Sequence, residues 1–573
     1  MGQSTSSPAE FGDTTQQTVS KVSNRYYSRD DLMNHFLESA VKLLTPAELI
    51  AFKLSVNNNL QLNDEYPTEL LYERLHLPES NGLLKQVILS IIRTMANFPL
   101  VNELHPELTA GGVLKAIVLL TGRNKKYLSG KHSNTLYLIF IALSNVNENS
   151  SNVTTRESLT EAYQLSEVLP TYDNTNFETL TVDINIVLAF ITWLLTLRYI
   201  APSNNCKIDR TYKTVNWTSF ENSAKSIIRS MNSKSFTSSS DSSSQIITFD
   251  DFIAIFTSVT PNIMVPIENL IEHLLFRQND LVDITLPLDE METSNMLTKS
   301  TYTQILASLP KDIVISKLQK LYVGRESGFS MRSLQAKVFK WLAPSIIIVS
   351  GMRIVDDNVY TQKKNPRYRN FLEHYQKLRE DDQHLEDCFQ LKRKVTFAIY
   401  IREPWKVTNK STFGGEHTTI IQLSPRQDVY RANTTDVIYF NTMGGGIGIG
   451  CHQPVVKSKL EKHQPGNVSL TIDNALEFAA FRHVGYGGKI NPSTLQTEKD
   501  NLDQTFELRF SISDMEVWGC GGEKELEEQI KQLKWEEAEA KRRQHVNLKS
   551  LGEDRALLEM AGLVGQHQSG GSM

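Results

Sequence analysis

The sequence predicts an α+β protein of several domains: an all-α N-terminal region, then a β-sandwich flanked by helices, then a charged C-terminal helix. Three observations carry this prediction. The chain has 573 residues, more than one ordinary domain holds. Residues 25–290 are dominated by helix signals. Past residue 390 the texture changes to short alternating apolar runs separated by turn residues. The composition is ordinary for globular cores, at 40% hydrophobic and 22% charged. A formal net charge of −5 predicts no general attraction to nucleic acid, and no basic, aromatic-laced patch reverses that expectation.

Residues 1–24 read as a flexible N-terminus, rich in Ser, Thr and Gln and poor in apolar groups. The chain opens MGQSTSS, in which Gly2 and Ser6 match the acceptor pattern for N-myristoylation. A single myristoyl chain holds a protein to a membrane only reversibly. No cysteine precedes Cys206, and Lys21, Arg25 and Arg29 make a thin basic patch. Lasting attachment is therefore expected to need a protein partner at the membrane. The most apolar run, Ile186–Leu197, is shorter than the ~20 residues a spanning helix needs, so it predicts a buried helix. With no secretory pattern at the start, the expected location is the cytosol or the cytosolic face of a membrane.

Within 25–290, Thr45-Pro46-Ala47-Glu48 is a capping box with proline at the first helical position. Leu114–Leu120 and Leu136–Leu143 are apolar enough to be core helices, and 230–245 is a serine-rich loop. IITFDDFIAIF (246–256) behind that loop fits the second half of an EF-hand, with Ile247 at position 8, Asp251 at position 12 and Phe252 opening the exiting helix. The liganding half does not fit. Positions 1, 3 and 5 become Ser240, Ser242 and Ser244, neutral hydroxyls where calcium needs carboxylates. The expectation is an EF-hand-like scaffold, degenerate at its ion site; a calcium-responsive adaptor is the weaker alternative.

The β region is predicted from VTFAIYI (395–401), TTIIQL (418–423), VIYF (437–440), VSLTI (468–472) and FELRFSI (506–512), with a further strand at 352–355. LQAKVFKWL (334–342) and ALEFAAF (475–481) read as flanking helices, and residues 363–394 as a charged, helix-prone insert. After Gly521-Gly522, residues 523–565 form the C-terminal extension, and 566–573 a tail. Glu527/Lys531, Glu537/Lys541 and Glu539/Arg543 are i,i+4 pairs in the favourable order. Leu526, Ile530 and Leu533 share a narrow apolar face, suited either to a solvated helix or to a helix-in-groove contact, with RALLEMAGLVG (555–565) as a second anchor.

Five segments, in order, carry a specific resemblance. LQKLYVGRESGFS (318–330) ends on Gly328, Phe329 and Ser330 after an arginine–acid pair. EPWKVTNKSTFGGEHTTIIQLSP (403–425) sets Pro404 and Trp405 before Phe413 and Gly414. VIYFNTMGGGIGIG (437–450), SLTIDNALEFAAFRHV (469–484) and FELRFSISDMEVWG (506–519), with Trp518 and Gly519, complete the set. Together they resemble the TLDc family across 294–520. The resemblance implies a domain without an established active site, linked to oxidative-stress resistance and to binding the vacuolar-type proton-pumping ATPase, whose assembly such proteins influence. On that basis the expected function is non-enzymatic regulation, with pump subunits as partners at the cytosolic face of the vacuolar membrane, and no cofactor.

No GxSxG elbow or HExxH pair is present. Glu416-His417 and Arg482-His483 read as surface or structural pairs. Cys451-His452 with His463 falls short of the four ligands in two close pairs that a zinc site needs. A redox role for Cys451 or Cys520 is the alternative to a purely binding domain. The glycine run fits neither GxGxxG nor the P-loop in any register. Gly444, Gly445 and Gly446 instead predict a positive-φ turn into a second strand that buries Ile447 and Ile449, while Gly448 and Gly450 let another backbone approach.

Overall fold

The computed structural model describes most of the chain between residues 25 and 543. Residues 1–24, 124–134, 147–162, 165–174, 201–215, 233–244, 268–293, 357–364, 379–392, 496–504 and 544–573, with shorter pieces elsewhere, lie outside the described residues. Gly2, residues 233–244 of the serine-rich loop, the 555–565 anchor and the tail fall among these; residues 230 and 231, read as the start of that loop, are helical.

The helical half begins with α1 (Arg29–Lys42) and α2 (Pro46–Val56). The capping box is made as read: Thr45 N donates to Glu48 Oε2 at 2.8 Å, and Glu48 N to Thr45 Oγ1 at 3.3 Å. Next come α3 (Gly82–Ala96), α4 (Ala110–Leu120), α5 (Thr135–Ser144) and α6 (Ile184–Ile200). Every residue of α4 is buried, which explains a sequence that is apolar all round. Two short strands, β1 (Thr181–Asp183) and β2 (Ile246–Thr248), pair antiparallel with Val182 opposite Ile247. After α7 (Glu221–Met231), the helix leaving β2 is α8 (Phe249–Ala254), which starts three residues earlier than Phe252, the expected opening. The cause is Thr248, whose hydroxyl caps Asp251 N at 3.3 Å and donates to the Asp251 carboxylate at 2.6 Å. The carboxylate expected at an ion position therefore serves the cap.

Beyond α9 (Lys299–Ser308) the strands are β3 (Lys317–Val323), β4 (Ser345–Arg353), β5 (Lys394–Ile401), β6 (Thr419–Ser424), β7 (Asp428–Arg431), β8 (Ile438–Asn441), β9 (Gly446–Ile449), β10 (His452–Lys457), β11 (Leu460–Gln464), β12 (Val468–Ile472), β13 (Phe478–His483) and β14 (Phe506–Gly521). Ten of them form one antiparallel sheet in the order β8-β9-β12-β13-β14-β4-β5-β6-β7, with β3 also on β14. That sheet folds over on itself. Phe397 of β5 and Tyr430 of β7 lie 4.7 and 5.0 Å from the Phe481 ring of β13, although several strands separate them in the hydrogen-bonded order. Two facing layers result, joined through β14, which pairs with β13 along its first half and with β4 and β3 along its second. The register shifts between Ile512 and Asp514, and such a bulge is how one strand passes from one layer to the other. The predicted run FELRFSI is only the first half of this 16-residue strand.

The strands of the β4–β7 layer are buried on both faces. Ile347, Val349, Phe397, Ile399, Ile420 and Val517 point into the sandwich core, while Ile346, Ile348, Ala398, Tyr400, Ile421 and Trp518 join the core of the helical half. Two covered faces give near-continuous apolar strands such as SIIIVS. Polar bonds also cross between the halves: Gln427 N donates to Ser226 O at 2.9 Å, and Gln304 Nε2 to Leu423 O at 2.9 Å.

Two predicted boundaries move and one helix becomes a strand. The helix read at 334–342 is α10 (Met331–Val338), capped by Ser330; the strand read at 352–355 lies at Ser345–Arg353. ALEFAAF is not a helix: Asp473 Oδ1 accepts from Glu477 N and Phe478 N at 2.8 and 2.9 Å, closing a turn that feeds β13. Burial of all six β13 residues removes the alternation that would have marked a strand.

The glycine run makes the predicted β8–β9 hairpin, with Ile447 and Ile449 fully buried. Of the three turn glycines, Gly444 and Gly446 take positive φ, at 115° and 66°; Gly445 instead fits a narrow space beside Asn441, whose Oδ1 accepts from Gly445 N at 3.2 Å. Gly448 makes room for the Tyr439 ring rather than for a backbone, whereas Gly450 does face backbone, at Val468 O. In the insert, α11 (Pro366–His374) lays Tyr368 and Phe371 on Phe478 of the outer layer face. The described positions between 527 and 543 are helical, with Glu539 and Arg543 3.6 Å apart and Gln529 Oε1 accepting from Leu342 N at 3.0 Å.

Candidate functional site

A cleft of about 680 Å³ opens where the insert meets the glycine hairpin. One face of α11 forms its roof: Arg367, Asn370, Phe371 and His374, at i, i+3, i+4 and i+7 spacing. Phe329 and Ser330, just ahead of α10, and Gly444 of the hairpin border it. His463 of β11 and the Asp473–Glu477 turn close it.

The polar groups in the cleft are unequally satisfied. Arg367 and Glu477 form an ion pair. His374 Nδ1 lies 2.6 Å from the Asn370 carbonyl of its own helix. His463 is buried beneath Phe371 and Tyr375, and its Nδ1 has no hydrogen-bond partner. Burial, with His374 beside it, holds the His463 ring down at about 4, so it is uncharged at pH 7. Burial pushes the Asp473 carboxyl up to about 6, against the pull of the backbone N–H groups of Phe478 and Glu477.

The raised Asp473 value has a consequence for stability. A carboxyl whose folded value exceeds its unfolded one stabilises the fold while protonated, and that contribution is lost as pH rises through the folded value, here about 6. Above it the charge is a burden on the fold. Asp473→Asn keeps the acceptor oxygen and removes the charge, so at pH 7.5 it should stabilise the protein by about 2 kcal/mol. The gain should vanish near pH 4, where both variants are neutral; urea midpoints at the two pH values measure it.

The residues singled out in the sequence divide between this cleft and the cores. Phe329, Ser330 and Gly444 meet in the cleft. Trp405 packs on Phe413 and Phe440 and donates from Nε1 to Ser345 Oγ at 2.8 Å, while Pro404 beside it is exposed. Gly414, at φ 94°, donates to Glu403 Oε2 at 3.1 Å; Gly328, at φ 80°, accepts from the Tyr322 hydroxyl at 2.8 Å. Trp518 Nε1 donates to Glu516 Oε2 at 2.9 Å, and Gly519 lies under the Trp341 ring. The Cys451 thiol is buried 3.2 Å from Thr471 Oγ1, and burial pushes it up, the reverse of what a reactive thiolate needs. Arg482 is structural, bonded to Glu507, and His483 Nε2 accepts from Ser493 N at 3.2 Å. Among the described residues no group of three or more His, Cys, Asp and Glu side chains could hold a metal.

The two-layer sheet and the cleft lie within residues 290–521, the span matched by the family model described as the TLDc domain. The likeness continues past that span in both directions. Over 585 aligned positions, covering 100% of both chains, the sequence is 46% identical to Restriction of telomere capping protein 5 of Saccharomyces cerevisiae. The chain belongs to the restriction of telomere capping protein 5 family. The Kluyveromyces lactis member is 45% identical with 100% of both chains covered, and the Zygosaccharomyces rouxii member 44% identical over 98% of this chain. The TLDc sheet of this family member therefore comes with its helical half, and the two share a core. Sequence reasoning missed Arg367, His374, His463 and Asp473 as a group. The i, i+3, i+4, i+7 spacing on α11 was the one available signal; the rest is brought together only by the layer geometry.

Proposed function

We propose that this protein is a non-enzymatic TLDc regulator that binds the vacuolar proton-pumping ATPase and favours its disassembly. The TLDc match over 290–521, within full-length likeness to the telomere-capping restriction proteins, is the observation that carries this reading. The chemistry of the described residues supports a binding role: Cys451 and Cys520 are both buried, which weighs against a redox function. The β1–β2 pairing, with Val182 opposite Ile247 and a helix following each strand, supports a degenerate, EF-hand-like scaffold in the helical half. The Asp251 carboxylate is engaged by Thr248, which weighs against calcium responsiveness. The protein acts at the cytosolic face of the vacuolar membrane, held by a myristoyl group on Gly2 together with its partner; among the described residues no helix is long and apolar enough to cross a membrane. Any influence on telomere capping is indirect, since a net charge of −5 gives no electrostatic footprint for DNA.

Crosslinking mass spectrometry on vacuolar membranes carrying the protein tests the reading. Crosslinks to pump subunits are expected, together with a smaller membrane-bound share of the pump's catalytic sector on overexpression. Gly2→Ala should deplete the membrane pool. An unchanged catalytic sector and the absence of pump crosslinks would refute the assignment.

A further inference from the structure

We propose that Lys115, on the seam where α1 packs against α4, is a carbamylation site: its amine takes up carbon dioxide, and the Arg29 charge stabilises the carbamate that forms. Two contacts fix the register of the seam. A Cβ added at Gly111 would lie 2.9 Å from Leu37 Cδ2, and Lys115, one turn on along α4, sets its Nζ 3.9 Å from Met33 Sδ, one turn back along α1. The two helices therefore run antiparallel here, and Arg29, four residues before Met33, continues the same face of α1. Lys115 is only 6% exposed. Among the described residues the Met33 thioether is its one polar contact, and Asp30 and Asp31, the acids in the first turn of α1, are exposed. A buried ammonium with no carboxylate and a second cation nearby is costly, and the cost is relieved by losing the charge or by reversing it.

Burial, with the Arg29 charge adding to it, holds the Lys115 ammonium down to about 7. Roughly half of the amine is then free at neutral pH, against about one in 2,500 for an ordinary lysine. The free amine is the form that reacts. Its lone pair makes the N–C bond to carbon dioxide, a C–O π pair passes to oxygen, and nitrogen releases one proton to water, leaving R–NH–COO⁻. Nothing is oxidised or reduced. The Arg29 charge that disfavours an ammonium on this nitrogen favours an anion there, and its guanidinium fork matches a carboxylate group. Burial also selects the reagent, because carbon dioxide is small and uncharged whereas acyl and phosphoryl carriers are neither. Met33, an unbranched and adaptable side chain that is half-buried, can shift to admit the two oxygens. The proposal does not use the pump reading and stands or falls separately from it.

Trapping with triethyloxonium ion tests it: the full chain is equilibrated with ¹³C-bicarbonate near pH 7.5, alkylated, digested and read by mass spectrometry. A ¹³C-labelled ethyl carbamate is expected on Lys115, at least tenfold above that on Lys53, an exposed lysine of α2. Arg29→Gln should lower the label on Lys115 at least fivefold, with a cooperative urea transition showing that the variant is folded. In a second measurement, bicarbonate at fixed pH and ionic strength should raise the urea midpoint of wild type and leave that of Lys115→Met unmoved. No label on Lys115 above the Lys53 level, equal labelling in folded Arg29→Gln, or the same midpoint shift in Lys115→Met would each overturn the proposal.

Discussion

Gly446→Ala should prevent accumulation of native protein, whereas Gly328→Ala should leave it folded and weakened by about 2 kcal/mol. Both glycines adopt positive φ, at 66° and 80°. They differ in what a methyl group would meet. At Gly446 an added Cβ would sit 2.2 Å from the Ile472 carbonyl oxygen and 2.7 Å from the Asp473 carbonyl carbon. Those atoms are backbone at the end of β12, so no rotamer change relieves the collision. Either β9 withdraws from β12 or the Asp473 turn is displaced, and both open the buried layer. A loss above about 4 kcal/mol is expected, in the range that marks a specific structural failure. At Gly328 nothing lies within 4 Å of the added atom, so only the backbone conformation, φ 80° and ψ 144°, is penalised. Soluble yield and urea midpoints of the two variants give the comparison. A Gly446→Ala protein as stable as Gly328→Ala would contradict the close approach of β9 to the β12 turn.

Much of this fold is legible locally because local chemistry decides it. Thr45 and Glu48 satisfy each other's neighbouring amides, so the start of α2 could be read from four residues. The hairpin at Gly444–Gly446 was likewise readable, since positive φ restricts the residue type. The failures have a shared cause in burial on both faces. ALEFAAF looked helical because β13 is apolar throughout, and its turn depends on Asp473, a residue outside the apolar run. The continuity of the two layers through β14 was likewise hidden, because a bulge at 512–514 leaves no compositional mark. The cleft was the least legible feature. Its parts lie more than 100 residues apart, from Phe329 to Glu477.

Glu507→Gln should cost about 3–5 kcal/mol, the usual penalty for removing one member of a buried charge cluster. The Glu507 side chain is fully buried and is held from two sides: Oε1 accepts from Arg509 Nη1 at 2.9 Å, and Oε2 from Arg482 Nε and Nη2 at 3.0 and 2.9 Å. A glutamine of the same shape removes the only carboxylate among these contacts. It also turns an amide N–H₂ toward one of the two guanidinium groups. Arg509→Met is the informative comparison: Glu507 keeps its two bonds from Arg482, so the loss should be smaller, about 1–2 kcal/mol. The damage should also travel in a defined direction. Glu507 Oε2 accepts from the Tyr375 hydroxyl at 3.3 Å, and Arg482 donates to the Gln376 carbonyl, so the cluster fastens the end of α11 to the outer layer. Hydrogen exchange should therefore quicken over residues 366–378 in Glu507→Gln while β4 and β5, on the far layer, stay protected. An even rise across the whole sheet would mean that the cluster supports the sandwich generally and not the insert. Local quickening would instead identify the cluster as the anchor that keeps Phe371 and His374 over His463, and hence keeps the cleft closed on its upper side.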